Sequence, residues 1–251
     1  MNAIPPKPTI DLATGHTVRR YDEELAKLRG IIIDIGQRVV EQTQAAVIAL
    51  IEREESFAYR VLDREPLIDY LSLDADEEVF RMITRRQPTA VDLRIVLALS
   101  KIASEAERAG DKVVRIARQV LELLGLDIAT ELLPDGLKTL MLELDDKACS
   151  MFDRSIHAVD SFDVTLSLAI FEDEPKLYHA SNEVRRLLGE SSQEQMTPRQ
   201  TVGLLTIAHA LERIGNHATT IAEQVIYVAL GQDVRFRNRE ILIDTLRHHG
   251  Y

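Results

Sequence analysis

The feature that most constrains this chain is an internal repeat carried on helical periodicity. The phrase EAERAGDKVVRIA at 105–117 returns as LERIGNHATTIAE at 211–223, with Glu107 matched to Glu212 and Gly110 to Gly215. Further upstream, Leu28, Ile31, Ile35 and Leu50 map onto Leu137, Leu140, Leu144 and Val159 at a constant offset of 109 residues. DREPLI at 63–68 maps onto EDEPKL at 172–177 at that same offset, which then slips to 105 and places a four-residue deletion near 190–198 of the second copy. A unit repeated at this length is a supersecondary module that buries its apolar face on its own elements and on its neighbour.

The module is helical. Leu25, Leu28, Ile32, Ile35, Val39, Ala46 and Ala49 recur at steps of three, four and seven, the stripe of an amphipathic helix over about 17–52. A second helix is predicted over 54–86 with a bend near Pro66, and Pro88 ends it. Thr89 can cap a third, carried to about 124 by Leu93, Val96, Leu97, Ala103, Ala106, Gly110, Val113, Ala117 and Leu121. The small residues in the middle of that seam permit close approach of a neighbouring helix. With only 11 glycines and 8 prolines, the chain lacks the turns of a sandwich or barrel. The predicted fold is all-α: two tandem three-helix bundles with spectrin-like up-down packing, at 17–125 and 135–232. Residues 1–16 read as a loose arm, GLDIATELLPDG as the linker, and 233–251 as a short, basic, peripheral tail.

Composition excludes several functions. Forty-one acids against 30 bases give a formal charge of −11, with no Lys/Arg block of five, which argues against a nucleic-acid partner. Cys149 is the single cysteine, so neither an internal disulfide nor a thiolate metal cage can form; it falls on the apolar side of the fourth helix. Neither a G-x-x-x-x-G-K-[ST] nor a G-x-G-x-x-G pattern occurs, so no nucleotide is expected. The first residues lack an apolar run of signal-peptide length, and nowhere do eighteen apolar residues run together. A cytoplasmic protein is expected.

Like charges one helical turn apart repel by roughly 0.2–0.5 kcal/mol. Glu107 and Asp111 form such a pair on the third helix, Glu65 and Asp69 another on the second, with Asp63 and Asp76 nearby. Two acidic pairs on neighbouring helices can converge as an oxygen-rich site for a hard cation. The alternative is a solvated face, since Arg108 and Arg115 stand within reach of Asp111. Spacing alone leaves both open.

RRQPTAVDLRIVLALSKIASEAERAGD, LERIGNHATTIAE and the ending YVALGQD resemble the PhoU family of phosphate-signalling proteins over about 17–235. The resemblance implies tandem three-helix bundles and a homodimeric, cytoplasmic adaptor without catalysis. Such a protein would connect the ATPase subunit of the phosphate ABC transporter to a sensor histidine kinase, repress the starvation response when phosphate is plentiful, and meet the membrane only through those partners. It also implies binding of a divalent or trivalent metal (iron, Mn, Mg or Zn) through E(D)-x-x-x-D pairs. Carried over by position, the first-repeat ligands are Glu65, Asp69, Glu107 and Asp111. The second repeat departs from that pattern: Glu174, Glu212 and Asn216 remain as weaker donors, because Asn216 replaces Asp111 and Tyr178 replaces Asp69. Nitrogen from His179, His209 or His217 is the available supplement, so the first-repeat site should be the stronger or the only one.

Two other functions compete. A carboxylate-bridged dimetal enzyme would need Glu-x-x-His pairs on two helices, and none lies at or beside the acid pairs. A purely structural helical protein without metal would lose nothing when Glu107 and Asp111 are removed.

Overall fold

The helices written into the repeat form over nearly the spans that the periodicity predicts. A computed structural model describes residues 19–126, 133–190, 196–248 and 250–251. The first bundle consists of α1 (Arg19–Glu52), α2 (Glu55–Arg86) and α3 (Ala90–Leu124). The second consists of α4 (Asp135–Ser161), α5 (Val164–Glu190) and α6 (Pro198–Leu230), followed by a short α7 (Arg239–His248). The predicted arm at 1–16, the middle of the linker and most of the 190–198 loop lie outside the described residues. No helix among the described residues is long and apolar enough to cross a membrane.

Local chemistry sets the helix ends. Thr197 and Gln200 form a reciprocal capping box at the start of α6: the Gln200 amide donates to Thr197 Oγ1 at 3.3 Å, and the Thr197 amide donates to Gln200 Oε1 at 2.7 Å. Pro198 at the first position loses nothing there, its missing donor being one the helix leaves unused. Thr89 stands at the N-cap of α3 as predicted, but its side chain makes no capping bond. The Asp92 amide instead donates to the Thr89 carbonyl at 3.1 Å. α2 runs unbroken through Pro66, and α5 runs equally unbroken through the matched Pro175.

Within each repeat the three helices pack on one another, and the repeats join along α3–α6 and α1–α4. Four helices are therefore central, and α2 and α5 are outer. The α3–α6 pair is antiparallel along its length. Arg94, near the start of α3, lies 5.9 Å from the ring centroid of Tyr227 near the end of α6. Mid-helix, His217 Nδ1–H donates to Glu105 at 2.7 Å. At the far end, Gln119 and Leu123 of α3 close over Gly203 of α6. The α1–α4 crossing brings Gly36 against Ile156, with Arg29 donating to the Asp160 carbonyl.

The core follows the predicted stripes. Every α1 stripe residue named above is buried. In α3, Leu93 and Leu121 are only half-buried and Leu97 is 45% exposed; the inward arc there is Ile95, Val96, Ala98 and Leu99. The cause is enclosure: α3 is flanked by α1, α2 and α6, so its buried arc is wider than one stripe and turned away from Leu97. A Cβ on Gly110 would stand 3.2 Å from Ile68, and one on Gly215 would overlap Leu177. Ile68 and Leu177 are matched positions of the repeat, so both copies use one glycine-over-aliphatic crossing. The tail is more than peripheral, since α7 buries Leu242 and Leu246.

Among the described residues, one buried acid stands outside any ion pair. Asp145 of α4 accepts from Cys149 Sγ at 3.3 Å, and burial pushes its carboxyl from an ordinary 3.8 up to about 6. Burial likewise pushes the Cys149 thiol up, which leaves it unreactive.

Gly215→Ala is expected to destabilise the protein by about 1–3 kcal/mol in urea unfolding, and Gly110→Ala by less, because 3.2 Å leaves Ile68 room to yield. A folded-state pKa above the unfolded value means that ionising Asp145 costs stability as pH rises from about 4 to about 6. Asp145→Asn should therefore raise Tm at pH 7.5, by an amount corresponding to at most about 3 kcal/mol, and the gain should vanish towards pH 4.

Candidate functional site

The antiparallel packing of α2 on α3 places the two predicted acidic pairs on facing helices, and the structure separates their roles. Glu65 lies 3.5 Å from Arg118 of α3 and is already partnered. Glu107 is half-buried; burial first, then repulsion from Asp111 and Asp69, holds its carboxyl above the usual range, with Arg108 and Lys112 offsetting part of this. Asp69 of α2 thus stands within electrostatic range of the α3 pair. Among the described residues, neither Asp69 nor Asp111 makes an ion pair, and both are exposed. Arg108, a predicted counter-charge for Asp111, pairs instead with Glu105 at 3.2 Å. The result is a patch of carboxylates whose charge is only partly compensated and whose donors are all oxygen. No group of three or more His, Cys, Asp or Glu among the described residues stands in ligand geometry.

The second repeat fills the equivalent space with its own cations. Glu212 is buried, accepting from the Ser181 hydroxyl and the Arg185 guanidinium, both of α5. Glu174 stands 3.4 Å from Arg239, which also pairs with the buried Glu223 and lies 4.2 Å over the Phe171 ring. Burial dominates at Glu223 and holds its carboxyl up against the pull of Arg239. Asn216 is half-buried, its carbonyl accepting from Thr220, and Tyr178 is exposed. His217 is committed to Glu105, while His179 and His209 face solvent.

Sequence reasoning missed Ser181, Arg185 and Arg239. Arg239 carries no signal, because it arrives from the tail. Arg185 had one: at the offset of 109 it falls on Asp76, a reversal of charge between the copies. Ser181 and Arg185 both donate to Oε2 of Glu212, and a carboxylate already paired with an arginine attracts a metal ion less strongly. The two repeats share a backbone plan and differ in electrostatics: open acids in the first, internally neutralised acids in the second.

The model of the PhoU domain matches residues 32–120 and again 141–225, one match in each bundle. The chain is similar to the phosphate-specific transport system accessory protein PhoU homolog of Pseudomonas putida, 30% identical over 88% of this chain and 85% of the relative. It is 32% identical to the protein of the same description from Burkholderia sp, over 90% of this chain and 96% of the relative. The crystal structure of PhoU from Pseudomonas aeruginosa superposes with a TM-score of 0.76 at 29% identity, covering 84% of this chain and 100% of that one. The phosphate transport system regulatory protein PhoU from Streptococcus pneumoniae reaches the same TM-score at 21% identity, a likeness of fold, over 86% and 100% of the two chains.

Arg185→Leu should leave Glu212 with Ser181 alone and cost about 1–3 kcal/mol in denaturant unfolding. Adding Glu212→Gln in the same chain should recover most of the loss, since the unpaired charge is then gone.

Proposed function

The chain belongs to the PhoU family, and from that membership we propose that it regulates phosphate uptake and phosphate-starvation signalling as a non-catalytic adaptor. The observation that carries this reading is the duplicated domain, present in order and aligned along almost the whole length of relatives described as accessory proteins of phosphate-specific transport. The adaptor is cytoplasmic and homodimeric. It meets the ATPase subunit of a phosphate ABC transporter and a sensor histidine kinase, and it represses the starvation response when phosphate is plentiful. Its membrane contact runs only through those partners. The −11 formal charge supports protein partners over nucleic acid.

The same reading includes a metal ion in the first repeat. Glu107, Asp111 and Asp69 are the donors, with Glu65 joining at the cost of its contact with Arg118. Their mutual repulsion and hard oxygen character suit Mg²⁺, Mn²⁺, Zn²⁺ or iron. A bound cation would supply the positive charge that this patch lacks, and so fasten α2 to α3. Glu174, Glu212 and Asn216 form at best a weaker second site, since arginines already occupy two of them.

Deleting the gene should raise both phosphate uptake and a starvation reporter in phosphate-rich medium; unchanged values would sink the regulatory reading. Mn²⁺ titration of the purified chain, followed by elemental analysis and Tm, should show a gain that disappears in Glu107→Gln/Asp111→Asn and survives Glu212→Gln. Equal loss in the two variants would overturn the ranking of the sites.

A further inference from the structure

The outer helix of the first bundle carries an apolar stripe that the fold does not use. On α2, Tyr59, Tyr70, Leu73 and Phe80 recur at helical spacing and face solvent, with Tyr70 66% and Phe80 67% exposed. Leu67, 45% exposed, widens it. Scattered exposed apolar residues are ordinary, but an aromatic-rich row along one face of one helix is not.

The internal repeat supplies the control. At the matched positions of α5, Leu67, Tyr70, Leu73 and Phe80 are replaced by Lys176, His179, Asn182 and Gly189. α5 takes the same outer place in its bundle as α2 and packs on two long helices in the same way, with a small added contact to α7. The architecture is therefore satisfied without large apolar side chains at those sites, so the stripe on α2 is not required by the bundle.

Charge identifies the kind of occupant. Asp63 and Asp74 border the stripe on one side, Asp74 lying one turn beyond Tyr70. Asp69 and Asp76 border it on the other, one turn before Leu73 and Phe80 respectively. Among the described residues these four acids make no ion pair, whereas neighbouring Glu77 and Glu78 are held by Arg81 and Lys27. A second copy docked through the same face would bring two stripes together that are both flanked by acids, so like charge would line both sides of the contact. We propose that this face of α2 docks a basic protein surface, an Arg/Lys-bearing amphipathic helix or patch whose apolar side covers Tyr70, Leu73 and Phe80. Aromatic anchors ringed by complementary charge are the usual energetic centre of such an interface. The inference goes beyond the regulatory reading, which names partners but no surface.

The test is photo-crosslinking in living cells, with p-benzoylphenylalanine placed at position 70 and, for comparison, at position 179, and adducts identified by mass spectrometry. The expected result is an adduct at 70 to an Arg/Lys-rich segment of another protein, with none at 179. Its yield should fall at least about tenfold on Asp74→Lys/Asp76→Lys. Replacing Leu67, Tyr70 and Leu73 by the residues of α5 (L67K, Y70H, L73N) should leave the circular dichroism and Tm unchanged and abolish binding of the identified partner to the purified chain. An adduct to the chain's own copy, equal adducts at 70 and 179, no adduct at 70, or a yield insensitive to charge reversal would each overturn the proposal. An adduct to a protein outside phosphate transport would support this surface and count against the adaptor reading, which the deletion experiment addresses separately.

Discussion

The structure depends on the contact between α3 and α6. These two helices run antiparallel along their full lengths, and each is also one of the two long helices on which the outer member of its own bundle packs. Were they held apart by larger side chains, each bundle would keep its three helices but the pair would lose its common wall. Gly203 permits close approach at one end, and three specific pairings fix the register: Arg94 over Tyr227, Glu105 with His217, and Gln119 and Leu123 over Gly203. Because α3 is enclosed on three sides, its charged residues lie in the groove beside α2, in open solvent, or, like Arg94 and Glu105, against a partner on α6. The position of the acidic patch is thus a consequence of packing.

Much of this was legible in the sequence, for a physical reason: burial in a helical bundle repeats with the turn, so stripes, prolines and matched glycines register directly as spacing. The repeat extended that legibility to pairs, since Gly110 over Ile68 and Gly215 over Leu177 occupy matched places. What spacing could not convey was which counter-ion each acid would meet. Arg185 and Arg239 approach Glu212 and Glu174 from another helix and from the tail, and a contact of that kind leaves no periodic trace. Leu97 illustrates a second limit, because one stripe describes a helix with one buried face, whereas α3 meets three neighbours and leaves exposed only the face that carries Leu97, Asp111 and Arg118. The weak capping at Thr89 is a third: the residue type was right and the side-chain rotamer did not use it.

Duplication explains how one fold carries two electrostatic solutions. Once each copy holds its own core, the surface of the outer helix is free to change without cost to the bundle, and the two copies have changed in opposite directions. One keeps bare carboxylates and an aromatic row. The other replaces the row with polar residues and answers its acids with arginines, one of them delivered by α7.

That divergence gives the molecule polarity. Its backbone approximates a two-fold object, and a partner sensing shape alone would find two equivalent ways to approach. The arginine that closes over Glu174 and Glu223 removes one of them, because it cancels the field that would otherwise be mirrored on both flanks. The chain has a front and a back, and whatever binds it receives an orientation along with an address.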